Sequence, residues 1–542
     1  MTKKDKRNEP TLQYQPGRQS RREVYCLISL TLFLVAATLA HTQRVTTSQY
    51  DNARTGANLS ETKLTPQNVN VQHFGKIFSW QVDGDVYAQP LFLGGVEIPG
   101  KGRHDVVFIA TEHDSVYAFD AYGNPSTPLW QVSFLKDGFT TVPARDAECP
   151  FIAPEIGITS TPVIDPDSGT LYVLARTRDR MRLMTGWYAQ RLHALAVTTG
   201  VEKFGGPVVI RASMSGTGTG SKNGTVSFNS LRENPRAALL LNRGSVYLTW
   251  ASACDVGPYH GWVMSYDART LAQKAIFNAS PDGDDSGIWE GDTGPAADAA
   301  GNVFLATGNG AFDAGKGGRD FGDSLLKLDG ESLKLRDYFT PFDADHLDAN
   351  DSDLGSGGPL LLPDQPGANP HLAAVEGKGG ILYLVNRDHM GHWQSENNGH
   401  ALQTVAVPDG VFGSMAYWNH NVYVLSDGDK LRQFTVAAGK LVPKSASAFS
   451  GVSATPTISA NGPNNGIVWL LRSKTWNGGD KPAALYAYDA ADVAHELYNS
   501  EQNAGRDRPG LTVRFNIPMV VNGHVYVGTK HEVDVYGLLP TR

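Results

Sequence analysis

Four loop stretches of this 542-residue chain place carboxylates, amides and a tryptophan at spacings that could do chemistry. They are Cys254-Asp255-Val256-Gly257-Pro258-Tyr259-His260-Gly261, Gly287-Ile288-Trp289-Glu290-Gly291, Ala306-Thr307-Gly308-Asn309-Gly310 and Asp348-Ala349-Asn350-Asp351-Ser352-Asp353-Leu354-Gly355. Each precedes or follows a strand-like run, so the polar groups sit at strand ends rather than within strands. Taken singly, Asp and Asn in glycine-rich loops satisfy their own backbone turns, a tryptophan packs into a core, and His260 between aromatic residues is a hydrogen-bonded packing residue. Taken together, carboxylate and amide oxygens from adjacent units suit a hard cation such as Ca²⁺. The acidic run Asp282-Gly283-Asp284-Asp285 reads as a solvated turn.

The elements that must position these loops repeat eight times. A short run opened by a small residue or proline begins at Gln89-Pro90, Thr161-Pro162, Ala237-Ala238, Gly294-Pro295, Gly358-Pro359, Ser414-Met415, Thr455-Pro456 and Ile517-Pro518. After a turn comes a second run rich in β-branched and aromatic residues, at Val106, Leu171, Val246, Val303, Ile381, Val422, Ile467 and Val525. Several copies add a third strand ending in a turn, as in VYAFDA at Val116, VMSYDA at Val263 and LYAYDA at Leu485. A period of roughly 40–80 residues with several strands per unit predicts propeller blades rather than solenoid coils. The fold class is therefore all-β, an eight-bladed β-propeller of four-stranded antiparallel blades. From Ile517 to Leu539 there is room for only three strands, and FGKIFSWQV at residues 74–82 supplies the fourth. Closing the ring with this N-terminal strand removes free edges. The propeller is expected to span residues 45–539 as one domain.

Residues 1–23 form a basic leader expected in the cytoplasm, and residues 24–40 (VYCLISLTLFLVAATLA) an uncharged apolar stretch of about 17 residues, the lower limit for a spanning helix. A basic lead, an apolar core and the small-residue ending Thr38-Leu39-Ala40 form an export signal. Cleavage after Ala40 and retention as a transmembrane anchor in the inner membrane both follow from this pattern. Either way the propeller is exported, periplasmic or extracellular. The chain is acidic, with a formal charge of −8, which argues against nucleic acid as a partner. Cys149 and Cys254 are the cysteines beyond the leader, and an oxidising compartment suggests a disulfide, with two separately buried thiols as the other reading. No Cys-x-x-Cys-His occurs, so no covalent haem is encoded.

From about Tyr50 to Leu539 the chain resembles the quinoprotein alcohol dehydrogenases, eight-bladed propellers that use pyrroloquinoline quinone (PQQ) with Ca²⁺ or a lanthanide. Tyr50-Asp51-Asn52 and Leu64-Thr65-Pro66-Gln67-Asn68-Val69 resemble that family's lead-in segment, and the run Val303 to Asn309 is similar to its strand ending in a metal-ligand Asn. The loop Asp255 to Gly261 resembles its Glu-x-Gly-x-Arg-Gly loop, and Asn350-Asp351-Ser352-Asp353 the segment carrying its catalytic Asp. The run Glu376-Gly377-Lys378-Gly379-Gly380 is similar to its Lys-x-Gly strand start, and Trp289 is placed like the Trp on which the quinone lies. The resemblance implies metal ligation by Asp255, Asn309, Asp351 and Asp353 and cofactor contacts from Trp289, Lys378 and His260. It further implies Asp351 as catalytic base, Lys378 as the stabiliser of the reduced ring, a small alcohol or sugar as substrate and a separate electron acceptor. This chain departs from the pattern in three respects. The adjacent Cys-Cys pair that caps the quinone is absent, the ligand Glu is at best a shorter Asp255, and the blade signature survives only in fragments such as Tyr266-Asp267-Ala268. The alternative is a non-catalytic exported propeller that binds a protein ligand, because fold does not fix function. A hydrolase would need paired carboxylates, for which no other sequence feature speaks.

Overall fold

In the computed structural model the described residues are Met1 and 43–540, except 137, 181–187, 292, 409 and 474–480. From Gln43 onward the described residues form one compact unit, in which eight sheets make an eight-bladed propeller and two further two-stranded pairs, Ser213–Ser215 with Thr225–Ser227 and Glu233–Asn234 with Ala251–Ser252, lie outside the blades. The inner strands begin two or three residues after the predicted openings, at Leu91, Val163, Leu240, Ala296, Leu360, Ala416, Thr457 and Met519. Each is followed outward by antiparallel neighbours, as in blade 3, where Leu240–Asn242, Ser245–Thr249, Trp262–Asp267 and Gln273–Asn278 pair in chain order. The eighth sheet closes as the sequence requires. Phe74–Gln81 pairs antiparallel with Glu532–Leu538, which joins His524–Gly528 and Met519–Val521.

The repeated motif has a physical reason. In the turn that follows the third strand, the aspartate side chain accepts backbone N–H groups: Asp267 from Arg269 and Thr270, Asp329 from Glu331 and Ser332, and Asp489 from Ala491. The carbonyl of the next residue accepts a hydrogen bond from a tyrosine on the second strand of the neighbouring blade. Tyr172 donates to Ala268 at 2.6 Å, Tyr247 to Gly330 at 2.6 Å, Tyr423 to Ala490 at 2.6 Å and Tyr526 to Ala121 at 3.0 Å. The same aromatic residues fill the space between sheets. Tyr172 thus lies in one apolar cluster with Trp250 and Trp262, and Tyr423 in another with Trp418 and Tyr486.

The segment from Arg44 to Asn58 runs along the axis and bonds to the inner edge of every blade. Arg44–Val45 pairs with Phe92 and Leu93 of blade 1. Ile164 donates its N–H to Thr46 O, Asn52 Nδ2 donates to Leu241 O, and Ala297 donates to Asn52 O. Leu361, Tyr417 and Ile458 donate to Ala53, Thr55 and Gly56, and Asn58 Nδ2 donates to Val520 O. At its centre lies the fully buried Arg54, whose guanidinium donates to Thr47 Oγ1 and to the carbonyls of Ser48, Gly294, Pro295 and Leu239. The axis is therefore plugged below the loops that open onto the other face.

The expected transmembrane element is corrected. Among the described residues no helix is long and apolar enough to cross a membrane. The helices there are short, as at Ala144–Ala147, Ala344–Ala349 and Ala504–Asp507. Residues 24–40 themselves lie outside the described residues.

Candidate functional site

Loops entering the inner strands of blades 2, 3, 4, 5, 6 and 8 enclose a cavity of about 520 Å³. Asp255, Trp289, Asp351, Asp353 and Lys378 all line it. Cys149 and Cys254 are joined by a disulfide with Cα atoms 5.4 Å apart, and this bridge forms part of the wall. Asp353 is buried, and its Oδ1 accepts the backbone N–H of Asn309 at 2.8 Å. The other oxygen, Oδ2, meets Lys378 Nζ at 2.5 Å. Asp351 is largely exposed; its Oδ1 accepts from Lys378 Nζ at 2.7 Å and from Asn309 Nδ2 at 3.0 Å. Burial alone would push the Lys378 ammonium down, but the adjacent Asp353 and Asp351 carboxylates outweigh it and hold its pKa above the ordinary value. Burial raises the Asp255 pKa, reinforced by the charge of Asp353, while a hydrogen bond from Tyr259 at 3.1 Å opposes the rise.

The backbone around the cavity is locally strained. Cys254, Asp255, Asp351 and Phe515 line it at φ of 58°, 54°, 51° and 56°, in the left-handed region that non-glycine residues rarely occupy. Such conformations persist where surrounding structure over-determines them, and they gather at functional sites. Here the disulfide and the Ser252 hydroxyl, which accepts Asp255 N–H at 2.7 Å, hold the blade 3 loop.

Two groups of lining residues escaped the sequence reading. Arg236 and Arg514 reach the cavity over the rings of Phe515 and Phe151, at 3.7 and 4.1 Å from the ring centroids. Phe412 lines the wall with its centroid 6.0 Å from Lys378 Nζ. Arg236, Phe412 and Phe515 each lie one to three residues before an inner-strand opening, and that position was the available signal. His260 does not face the cavity. It is buried, and its ring nitrogens lie 2.9 Å from Ser280 O and 3.0 Å from Thr219 O. From this loop Asp255 lines the cavity, while the buried Tyr259 supports it from behind, its hydroxyl on Asp255 Oδ1 and its ring edge-on to Trp289 at 6.4 Å.

The donor set suits one of the two groups implied by the resemblance and not the other. A planar, polyanionic quinone fits: Trp289 and Phe412 offer flat apolar surface, while Lys378, Arg236 and Arg514 offer positive charge for carboxylates. A multivalent metal does not fit the residues as they stand. Ca²⁺ takes six to eight oxygens, yet among the described residues no three acidic, imidazole or thiolate groups come close enough to hold an ion. The space between Asp351 and Asp353 is filled by Lys378 Nζ. Beside the pair, Asn309 Oδ1 is buried and has no hydrogen-bond partner.

No protein-family model matches the chain, and no curated protein does. Solved structures do. The chain is similar to a quinohemoprotein alcohol dehydrogenase from Pseudomonas putida HK5, with TM-score 0.60 and 15% identity over 92% of this chain and 81% of that one. It is similar to the quinohemoprotein alcohol dehydrogenase from Comamonas testosteroni, with TM-score 0.60 and 15% identity over 93% and 82%. A europium-containing methanol dehydrogenase matches with TM-score 0.57 and 13% identity over 91% and 98%. The chain therefore has the fold of the quinoprotein-dehydrogenase-like eight-bladed propellers.

Proposed function

We propose that this is an exported quinoprotein-type oxidoreductase that binds PQQ in the cavity above the axial plug and oxidises a small alcohol or sugar. The observation that carries the reading is the convergence of Trp289, Lys378, Asp351, Asp353 and Asp255 in one cavity on a propeller of this fold. When bound, PQQ would supply the acceptor for the hydride lost from the alcohol carbon, and its two electrons then pass to a separate acceptor. The chain's own residues perform the rest. Trp289 supports the flat ring system, and Arg236 and Arg514 orient its carboxylates. The exposed Asp351 carboxylate is placed to take the hydroxyl proton as general base. Lys378 balances negative charge gathering on the ring from a preorganised position.

Tryptophan fluorescence and visible absorbance during PQQ titration test the reading, together with dye-linked alcohol oxidation. Wild type should bind PQQ, Trp289→Ala should bind it at least about tenfold more weakly, and Asp351→Asn should bind it while losing turnover. Failure of the wild type to bind PQQ under any metal condition removes the oxidoreductase reading. The protein-binding propeller then stands, with the Lys378 pair as a structural ion pair.

A further inference from the structure

Resting on that reading, we propose that Lys378 is the cavity's built-in cation. Its ammonium takes the place between Asp351 and Asp353 that a metal ion would otherwise fill, so that quinone binding by this chain is independent of metal. Four observations carry this. The ammonium contacts both carboxylates, at 2.7 and 2.5 Å. The same residue is tied to its partner through the backbone, because Lys378 N–H donates to Asp353 O at 3.0 Å. The backbone of Lys378 is closely packed against its surroundings: a Cβ added at Gly377 would lie 2.2 Å from Asp353 O, and one at Gly410 would lie 2.4 Å from Lys378 O. Lastly, Asp255 lines the cavity but gives one oxygen to the Tyr259 hydroxyl, and among the described residues no third acidic group joins Asp351 and Asp353 closely enough to hold an ion.

Charge and geometry make the substitution reasonable. A hard multivalent ion is stabilised by several converging oxygens at about 2.3–2.6 Å. An ammonium needs only two or three acceptors at ordinary hydrogen-bond lengths, and those are the acceptors present. Lys378 also lies near the ring of Phe412, so its charge is presented along an apolar wall to a flat anionic ligand rather than to bulk water.

The test uses the full chain, dialysed against chelator, with PQQ binding followed by tryptophan quenching in chelator, in Ca²⁺ and in La³⁺. Expected is an affinity in chelator within about twofold of that in either metal, and a loss of at least about tenfold in Lys378→Met in chelator, roughly 1.4 kcal/mol. Terbium luminescence gives an independent readout. Lys378→Met should acquire a sensitised terbium signal that wild type lacks, because removing the ammonium frees the carboxylate pair. Wild type that binds PQQ only with added metal, or that binds terbium as tightly as Lys378→Met, overturns the inference while leaving the quinone reading intact. Wild type that binds PQQ under no condition overturns the quinone reading itself. Should Lys378→Met fail to fold, the comparison of wild type in chelator and in metal decides alone.

Discussion

Asp353 reaches Lys378 only because position 308 carries no side chain. A Cβ added at Gly308 would lie 2.0 Å from Asp353 Oδ1 and 2.8 Å from Trp289 Cδ1. Gly308→Ala should therefore displace the carboxylate from both Asn309 N–H and the ammonium and tilt the indole. The expected result is a stability loss of about 1–3 kcal/mol in urea unfolding together with weakened PQQ binding. Unchanged binding would mean that Asp353 is peripheral to the ligand. At this scale the sequence was only partly legible. Asp255, Trp289, Asn309, Asp351, Asp353 and Lys378 could be singled out because polar residues at strand ends are few and fall in clusters. Arg236, Arg514, Phe412 and Phe515 could not, because they are scattered over the loops of three blades and only the closed ring brings them together. His260 misled for a local reason. Both of its ring nitrogens face backbone carbonyls, of Ser280 and Thr219, so the imidazole is spent on holding neighbouring loops together.

Among the elements, the strand pattern was legible almost to the residue because two constraints coincide in four of the copies. The second strand must present an aromatic residue to the next blade, and the third must end in an Asp-containing turn whose following carbonyl receives that tyrosine. The tie gives a test. Tyr423→Phe leaves the ring in place and leaves the Ala490 carbonyl with the Gln433 amide as donor, at 3.0 Å. Tyr172→Phe strands Ala268 O, for which no second donor is described. Each substitution should cost about 1–3 kcal/mol, with the larger loss for Tyr172→Phe. Equal losses at the two positions would show that the Gln433 contact contributes nothing. The axial segment was not legible in this way. It meets eight different blades in turn with only a few residues at each, so no periodicity in residues 44–58 announces the contacts.

The whole molecule carries buried acids whose protonation couples the ring to pH. Burial raises Glu112 and Glu290 from 4.5 to about 8 each, against hydrogen bonds from Gly157 and Ala306 N–H that oppose the rise. A carboxyl with a raised pKa holds its proton more tightly in the folded state. Its contribution is thus complete below about pH 4.5 and is lost as pH climbs toward about 8. The melting temperature should fall across that window, and Glu112→Gln or Glu290→Gln should flatten the slope. An unchanged slope in both variants would assign the pH dependence to other groups.

Ring closure and axial plugging are separable at the same scale, since residues 74–81 and 44–58 are distinct segments. Removing residues 70–85 leaves Glu532–Leu538 as an open edge, deprives the buried Asp534 of Lys76, and takes Trp80 from its stack on Phe119 and Tyr526. An unpaired edge of that kind templates association between chains. The expected outcome is loss of the single cooperative urea transition together with concentration-dependent light scattering. Removing residues 43–58 leaves the Velcro-like pairing of the termini untouched, so a cooperative transition should persist at a lower midpoint. The eight inner edges lose their hydrogen bonds to this segment, and Glu290 loses the adjacent charge of Arg54. If both deletions gave the same aggregated product, closure and plug would be one cooperative device, and the strand exchanged between the termini would not by itself hold the ring.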